Sequence, residues 1–272
     1  MREITIGQYY FADSPIHRLD PRVKIAFTGV YMVSLFFQKS ILTFALAALI
    51  FAAVVKMSTV PFKFMVRGLK PIAFIILFSV VVNMLFVPGE VLVKIGVIQI
   101  TKEGLIQAVF LTIRLALLIM GASLLTMTTT PNQLTDGLEK MFGFLNKIHV
   151  PVHEIAMMMS IALRFIPILT EETDKIMKAQ MARGADFETG NLIQKVKSMI
   201  PILVPLFVAA IRRANDLAMA MEAKCYNGSE GRTKMKPLIY QKEDKMAYLM
   251  ILGYVVLMVG LTVLSGKLGF SF

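Results

Sequence analysis

Cysteine is almost absent from the sequence, and so are the motifs of several enzyme classes. A single residue, Cys225, excludes an intrachain disulfide and a cysteine-based metal cluster. There is no GxxxxGK[ST] loop, so ATP hydrolysis of the usual P-loop kind is excluded. His149 and His153 are four residues apart, but Pro151 lies between them and no third ligand is evident, which favours a structural role over metal binding. With neither a nucleophile and its base nor a metal set, the sequence argues against an enzyme.

Charged residues are also scarce. They make up 17% of the chain, against about 25% in an average soluble domain. Hydrophobic residues make up 56%, and the mean hydropathy is +0.68. The apolar blocks are nearly free of charge and the segments between them are crowded with it, which is typical of membrane spans and loops. The net charge of +11 is not set in a basic stripe with stacking aromatics, so the bilayer explains it better than nucleic acid does.

Five apolar blocks predict membrane helices, and with them an all-α integral membrane protein. They are residues 23–37, 41–55, 71–87, 105–126 and 246–264. The first two are short for a span of about 20 residues, and only three residues separate them, which indicates a tight helical hairpin. Residues 88–102 alternate between apolar and polar, which predicts a short β-hairpin on the external side.

The distribution of lysine and arginine predicts the orientation. Four lie in residues 1–24, four in residues 56–70 and sixteen in residues 127–245. Because positive residues are retained in the cytoplasm, the N-terminus is predicted inside and the C-terminus outside. The N-terminal ten residues lack the apolar core of a secretory signal, so we expect the chain to insert through its own spans.

Three regions follow from this pattern. Residues 1–126 form an N-terminal segment with a four-helix membrane region, and residues 246–272 form the last transmembrane helix and a tail. Residues 127–245 form a cytoplasmic or interfacial region, where two long helices are predicted at 152–183 and 192–226. Each is apolar in its first part and polar in its second, and the second helix is expected to be kinked or interrupted at Pro201 and Pro205.

The ends of these two helices match each other at an offset of 41 residues. This offset pairs Ala182 with Ala223 and Arg183 with Lys224. A cation in the last turn complements the helix dipole and a following glycine ends a helix, so ordinary termination explains each tip alone. It explains less well why two tips share a small alanine beside a cation.

The two tips resemble the Ala-Arg-Gly motifs of the EcfT-type transmembrane subunits of energy-coupling factor vitamin transporters, the CbiQ/EcfT-like family. Residues 7–22 resemble the family's N-terminal segment, and residues 220–234 its second motif and downstream loop. The resemblance covers essentially the whole chain. It implies a non-catalytic subunit in a bacterial cell membrane, with long coupling helices in the cytoplasmic region. Its partners would be two ATP-binding-cassette (ABC) ATPase subunits and a membrane-embedded S component that binds a vitamin or other micronutrient.

The resemblance also implies residue roles. It implies no cofactor on this chain, and ATP with magnesium on the partner subunits. The ATPase-docking positions, matched one by one, are Ala182, Arg183, Gly184, Ala223, Lys224 and Cys225. The second tip departs twice from the family motif, with lysine for arginine and cysteine for glycine, so a weaker or differently angled contact is expected there. Contact with the S component is expected at Met157, Met158, Met159 and Phe207, although core filling explains any single methionine equally well.

Two alternatives stay open in the sequence. Arg114 lies inside the fourth apolar block, where an ionisable side chain is functional by default, but pairing with a carboxylate or carbonyl is as reasonable as a transport role. The alternative function is a self-sufficient secondary transporter or channel. It would predict repeated halves, broken spans and several charges at the midplane, whereas here the spans are few and the charges gather in one long region.

Overall fold

The computed structural model describes residues 9–38, 40–88, 90–95, 98–187, 191–228, 235 and 237–267. The α-helices in these ranges are α1 (Pro15–Arg18), α2 (Pro21–Phe37), α3 (Ile41–Ser58), α4 (Phe62–Arg67), α5 (Ala73–Phe86), α6 (Lys102–Thr128), α7 (Pro131–Phe142), α8 (Val152–Ala182), α9 (Leu192–Ala223) and α10 (Lys242–Lys267). A 3₁₀ helix spans Gly143–Ile148, and two strands are β1 (Val91–Ile95) and β2 (Ile98–Thr101). The chain divides into two compact units. Of the described residues, those in 9–137 and 238–267 form one unit, the membrane unit, and those in 138–237 form the other, the tip unit.

The all-α membrane fold expected from the sequence is confirmed. All five apolar blocks are helical, as α2, α3, α5, α6 and α10. Among the described residues, four helices are long and apolar enough to cross a membrane: α3, α6, α8 and the Lys242–Leu264 part of α10. Helices α2 and α5 have 17 and 14 residues and are shorter than a usual span. Helix α8 qualifies because its charges gather in its second half. The sequence had shown that gradient, but α8 was not among the five helices predicted to span the membrane.

The expected β-hairpin is present between α5 and α6. Its strands β1 and β2 pair antiparallel, with Val91 opposite Thr101 and Ile95 opposite Ile98. Thr101 then connects the hairpin to α6. Its hydroxyl accepts a hydrogen bond from the Gly104 N–H at 3.1 Å, which caps the helix, and donates to the Val87 carbonyl at 2.8 Å.

Helices α2 and α6 run antiparallel through the core of the membrane unit. Lys24, near the start of α2, donates from Nζ to the carbonyl of Thr128 at the end of α6, at 2.9 Å. Between these ends, Gly121 allows close approach, because a Cβ there would lie 3.3 Å from the ring of Tyr31. That ring is buried and stacks on Phe51 of α3 with centroids 5.5 Å apart.

The beginning of α2 is tied to the beginning of α10. Asp244 is buried, and its carboxylate accepts from the backbone N–H of Asp20 and from that of Gln241, both at 2.8 Å. Arg22 forms an ion pair with Asp20 at 2.7 Å and stacks on the ring of Tyr240 at 3.7 Å. These contacts hold together two segments that are more than 200 residues apart in the chain.

The two helix tips as a candidate docking site

Helices α8 and α9 provide the frame of the candidate site. They have 31 and 32 residues, so each is about 46–48 Å long at 1.5 Å per residue. Both were predicted from the sequence, and both are confirmed. Helix α9 continues through Pro201 and Pro205, so the interruption considered there is not found. An interior proline removes one backbone hydrogen bond, but it need not end a helix when the rest of the ladder is kept.

One ion pair joins the two helices. Arg213 Nη2 lies 3.2 Å from Glu172 Oε2, with both side chains partly exposed. The two residues are separated by 41 positions, which is the same offset that superimposes the tips. Arg183 and Lys224 each lie eleven residues beyond this pair, or about 16 Å along each helix. A second contact between the helices lies nearer the tip of α8, where Gln180 Nε2 donates to the carbonyl of Pro201 at 3.4 Å.

The tip of α8 ends in a Schellman motif. Arg183 is the C-cap, and Gly184 follows it with a left-handed φ of +88°. The Gly184 N–H donates to the carbonyl of Met181 at 3.0 Å, and the Ala185 N–H donates to that of Gln180 at 3.0 Å. These two bonds satisfy the last carbonyls of the helix and set the direction in which the chain leaves it.

The tip of α9 has the same motif one repeat later. The Cys225 N–H donates to the carbonyl of Glu222 at 2.9 Å, and the Tyr226 N–H donates to that of Met221 at 3.0 Å. Cys225 occupies the glycine position with a φ of +53°, which costs a non-glycine residue about 1–2 kcal/mol. The sequence had shown cysteine in place of glycine, but it gave no sign that the left-handed conformation would be kept.

The residues predicted to dock the ATPases lie on these two caps, and all of them are exposed to solvent. They are Ala182, Arg183, Gly184, Ala223, Lys224 and Cys225. Within the described part of the chain, neither Arg183 nor Lys224 forms a salt bridge. Each tip therefore presents a cation beside a small side chain, at the end of a stiff helix. This arrangement suits an acidic groove that admits a helix end closely.

The four residues predicted to contact an S component differ in exposure. Met158, Met159 and Phe207 are exposed, at 58%, 45% and 68%, whereas Met157 is half-buried. The exposed apolar surface of the two helices is larger than these positions. It also includes Ile155, Met199, Ile200, Leu203, Val204, Val208 and Ile211. Apart from Met199, which was expected on this surface, these positions were missed because both helices are apolar on several sides in their first halves, so periodicity does not single out one face.

Metal-ligating side chains do not gather in the described part of the molecule: no group of three or more histidine, cysteine, aspartate or glutamate side chains could hold an ion there. Of the two histidines considered from the sequence, His153 contacts Glu139, with Nδ1 2.8 Å from Oε1. His149 has a left-handed φ of +61° at the end of the 3₁₀ helix. Both positions are accounted for by local structure.

Together these features define a multi-helix membrane protein with two matched helix tips. The CbiQ family, described as "Cobalt transport protein", matches residues 12–235. The energy-coupling factor transporter transmembrane protein EcfT of Thermosediminibacter oceani is 53% identical over 249 residues, which cover 92% of this chain and 94% of that protein. The proteins of the same name from Ruminiclostridium cellulolyticum and Bacillus subtilis are 52% and 46% identical, each over 90% of this chain and 91% and 92% of the relative, respectively.

The chain belongs to the CbiQ family of membrane transport proteins, in the group of the energy-coupling factor transporter transmembrane proteins. The family resemblance expected from the tips and the N-terminal segment is confirmed. The match to residues 12–235 includes both tips and most of the N-terminal segment that carried the resemblance.

Proposed function

We propose that the chain is the transmembrane coupling subunit of an energy-coupling factor transporter. It links ATP hydrolysis by two separate ABC ATPase subunits to uptake of a vitamin or other micronutrient bound by an S component. The chain itself has no catalytic role, and ATP with magnesium belongs to the partner ATPases. The observation that carries this proposal is the repetition of one tip at a 41-residue offset, with the same cap and an exposed cation in each, Arg183 in the first tip and Lys224 in the second.

Each tip has the features expected of a contact that transmits movement from an ATPase to a helix. The small side chain of Ala182 or Ala223 allows close approach to a groove, and the neighbouring cation sets the register against acidic residues. The Schellman motif holds the backbone around the cation, so a push on the tip is carried into the helix rather than absorbed by a loose end. When the two ATPases close on ATP, two helices would be moved at once.

The difference between the tips suits two non-identical ATPases. Arg183 offers a planar fork that can bind a carboxylate through two hydrogen bonds, whereas Lys224 offers a compact charge without fixed directions. The first tip therefore makes the stronger and more directional contact. Cys225 extends a side chain where Gly184 has none, so the groove at the second tip needs more room beside the cation.

The S component contacts the apolar surface of α8 and α9. Met158, Met159 and Phe207 support this role because they are exposed and lie on helices that also carry a tip. Methionine is flexible and adapts to differently shaped partners, which suits a subunit that serves several S components. The N-terminus is cytoplasmic and the C-terminus is outside, in accord with the lysine and arginine distribution.

Co-purification tests the proposal. The tagged chain is co-expressed with candidate ABC ATPase subunits, purified in detergent, and compared as wild type, Arg183→Glu, Lys224→Glu and the double variant. Lys175→Glu is the matched control, because it reverses an exposed cation on α8 two turns before the tip. The double variant should lose the ATPases while the control retains them. If wild type retains no ATPase, or if both reversals bind as well as wild type, the self-sufficient transporter becomes the leading explanation.

A further inference from the structure

A polar pocket lies in the membrane unit. Its volume is about 290 Å³, and its lining includes Gln38, Phe44, Asn83, Gln107, Phe110 and Arg114. Gln38 follows the last residue of α2, fourteen residues from Lys24, which is about 21 Å along the helix. The pocket therefore lies at the other end of α2 from Lys24.

Arg114 contributes a positive charge to this pocket, and only part of its guanidinium has a hydrogen-bond partner among the described residues. Its Nη2 donates to the backbone carbonyl of Gln38 at 3.0 Å, and its guanidinium lies over the ring of Phe44 at 5.4 Å. Its Nε is buried and has no acceptor among the described residues, and no described carboxylate forms a salt bridge with it. A cation in such a place is costly unless an anion and further hydrogen bonds accompany it.

The side-chain amide of Gln38 is a second polar group in this pocket that lacks hydrogen-bond partners among the described residues. The residue is only 2% exposed, yet neither Nε2 nor Oε1 of its side chain has a hydrogen-bond partner among the described residues. Buried amides are normally paired, so an orphaned amide beside a cation without a carboxylate calls for a ligand. Nε2 can donate to an oxyanion, while Oε1 can accept from a hydroxyl group.

An apolar groove adjoins the polar pocket. It has a volume of about 460 Å³ and shares Phe44 and Phe110 with the pocket. The two rings contact each other with centroids 5.3 Å apart, so they separate a polar compartment from an apolar one. The other side chains of the groove are aliphatic: Ile41, Ala45, Ala48, Leu105, Ile106, Val109 and Ile113. Several of them are exposed on the surface of the unit, where a hydrocarbon chain could enter from the bilayer.

We propose that this site binds an anionic phospholipid, with the phosphate and a hydroxylated head group in the polar pocket and an acyl chain in the groove. Arg114 binds the phosphate, and the amide of Gln38 contacts both the phosphate and the head-group hydroxyl. Free phosphate shares the anionic chemistry, but it would leave the adjoining groove unused. The lipid would join the α2–α3 hairpin to α6 and stabilise the membrane unit. This site is independent of the two tips.

Lipid binding to the full-length chain in detergent tests the proposal. Delipidated wild type is mixed with phosphatidylglycerol, phosphatidylcholine or inorganic phosphate, and bound ligand is measured by native mass spectrometry together with the midpoint of thermal unfolding. Arg114→Gln is compared with Arg67→Gln. Arg67 is the matched control because it lies in the same unit, on the surface, with its guanidinium 5.4 Å from the ring of Phe64.

Phosphatidylglycerol should bind wild type and raise its midpoint, and Arg114→Gln should retain at least about tenfold less lipid, since it cannot form charge-assisted hydrogen bonds to the phosphate. Arg67→Gln should bind as wild type does. Where Arg114→Gln does not fold, Arg114→Lys keeps the charge and should bind several-fold less lipid, because lysine has no planar fork. Equal binding by wild type and the Arg114 variants, or equal binding of phosphatidylcholine, overturns the proposal. An equal effect of inorganic phosphate overturns the assignment to a lipid.

Discussion

The tips of α8 and α9 have the same backbone and different side chains. In both, a Schellman motif ends the helix with a left-handed residue after the cation, but this residue is Gly184 in one tip and Cys225 in the other. Left-handed backbone is easily adopted by glycine and costly for cysteine. The second tip thus keeps its shape against the local preference of its sequence. The comparison teaches that the two tips share the position of the cation on the helix cap. Either glycine or a strained cysteine can supply the left-handed residue that follows the cation.

The largest expected difference between the tips is in ATPase binding. Arg183→Glu should weaken binding about 10–100-fold, because repulsion would replace the bidentate, charge-assisted contact proposed for Arg183. Lys224→Glu should weaken it less, by about tenfold, since the lysine contact is less directional from the outset. Titration of the ATPases onto the chain in nanodiscs measures both dissociation constants. An equally weakened affinity in Lys175→Glu would show that the effect is not specific to the tips.

Substitutions of the left-handed residue, which strain the backbone, should have the next largest effect, a loss of cap stability. Gly184→Val places a β-branched side chain at a φ of +88°, which should destabilise the cap by about 1–3 kcal/mol. The same change at the second tip, Cys225→Val, should cost less, because the strain of a non-glycine residue is already present there. Hydrogen–deuterium exchange of peptides covering each tip measures the difference. Similar increases in exchange at the two tips would contradict the unequal strain.

Cys225→Gly makes the second tip like the first. Relief of the left-handed strain should stabilise the cap by about 0.5–1 kcal/mol after allowance for the greater chain entropy of glycine. Exchange of the Cys225 and Tyr226 amides, which donate the two cap hydrogen bonds, should slow by several-fold. Faster exchange in this variant would mean that Cys225 stabilises the cap in another way.

The smallest effect on stability is expected from removing the ion pair between Glu172 of α8 and Arg213 of α9. Glu172→Gln removes the charge that faces Arg213, but both side chains are partly exposed, so the free energy of unfolding should fall by less than about 1 kcal/mol. Denaturant unfolding monitored by circular dichroism measures this change. Because the variant leaves both caps intact, ATPase binding should be nearly unchanged. A large decrease in binding would place the ion pair in the force-transmitting path.

Local patterns predicted much of this structure from the sequence. The apolar blocks, the β-hairpin before α6, the two long helices and their 41-residue offset all depend on residues that are near one another in the chain. The contacts between distant elements could not be predicted in the same way. The ion pair of Glu172 with Arg213 and the contact of Arg114 with Gln38 depend on which faces of the helices meet, and many faces of these helices are similarly apolar.

The conformation of Cys225 shows a second reason why the structure could not be fully predicted from the sequence. Propensity alone predicts that cysteine avoids the left-handed region, and here two backbone hydrogen bonds at the end of α9 override it. The lengths of α2 and α5 show a third reason. Their apolar blocks predicted helices correctly, but whether helices of 17 and 14 residues cross the bilayer depends on tilt and on their neighbours.

Maleimide labelling of Cys225 tests the central claim most directly, because the sole cysteine of the sequence lies exposed on the second tip. The labelling rate is measured for the chain alone and after assembly with ABC ATPase subunits in nanodiscs. A Gly184→Cys variant in a Cys225→Gly background gives the matched probe at the first tip. Docking at both tips predicts slower labelling of both cysteines in the assembly, with the unassembled rate restored in the Arg183→Glu, Lys224→Glu double variant. Labelling at equal rates with and without assembled ATPases would contradict the account.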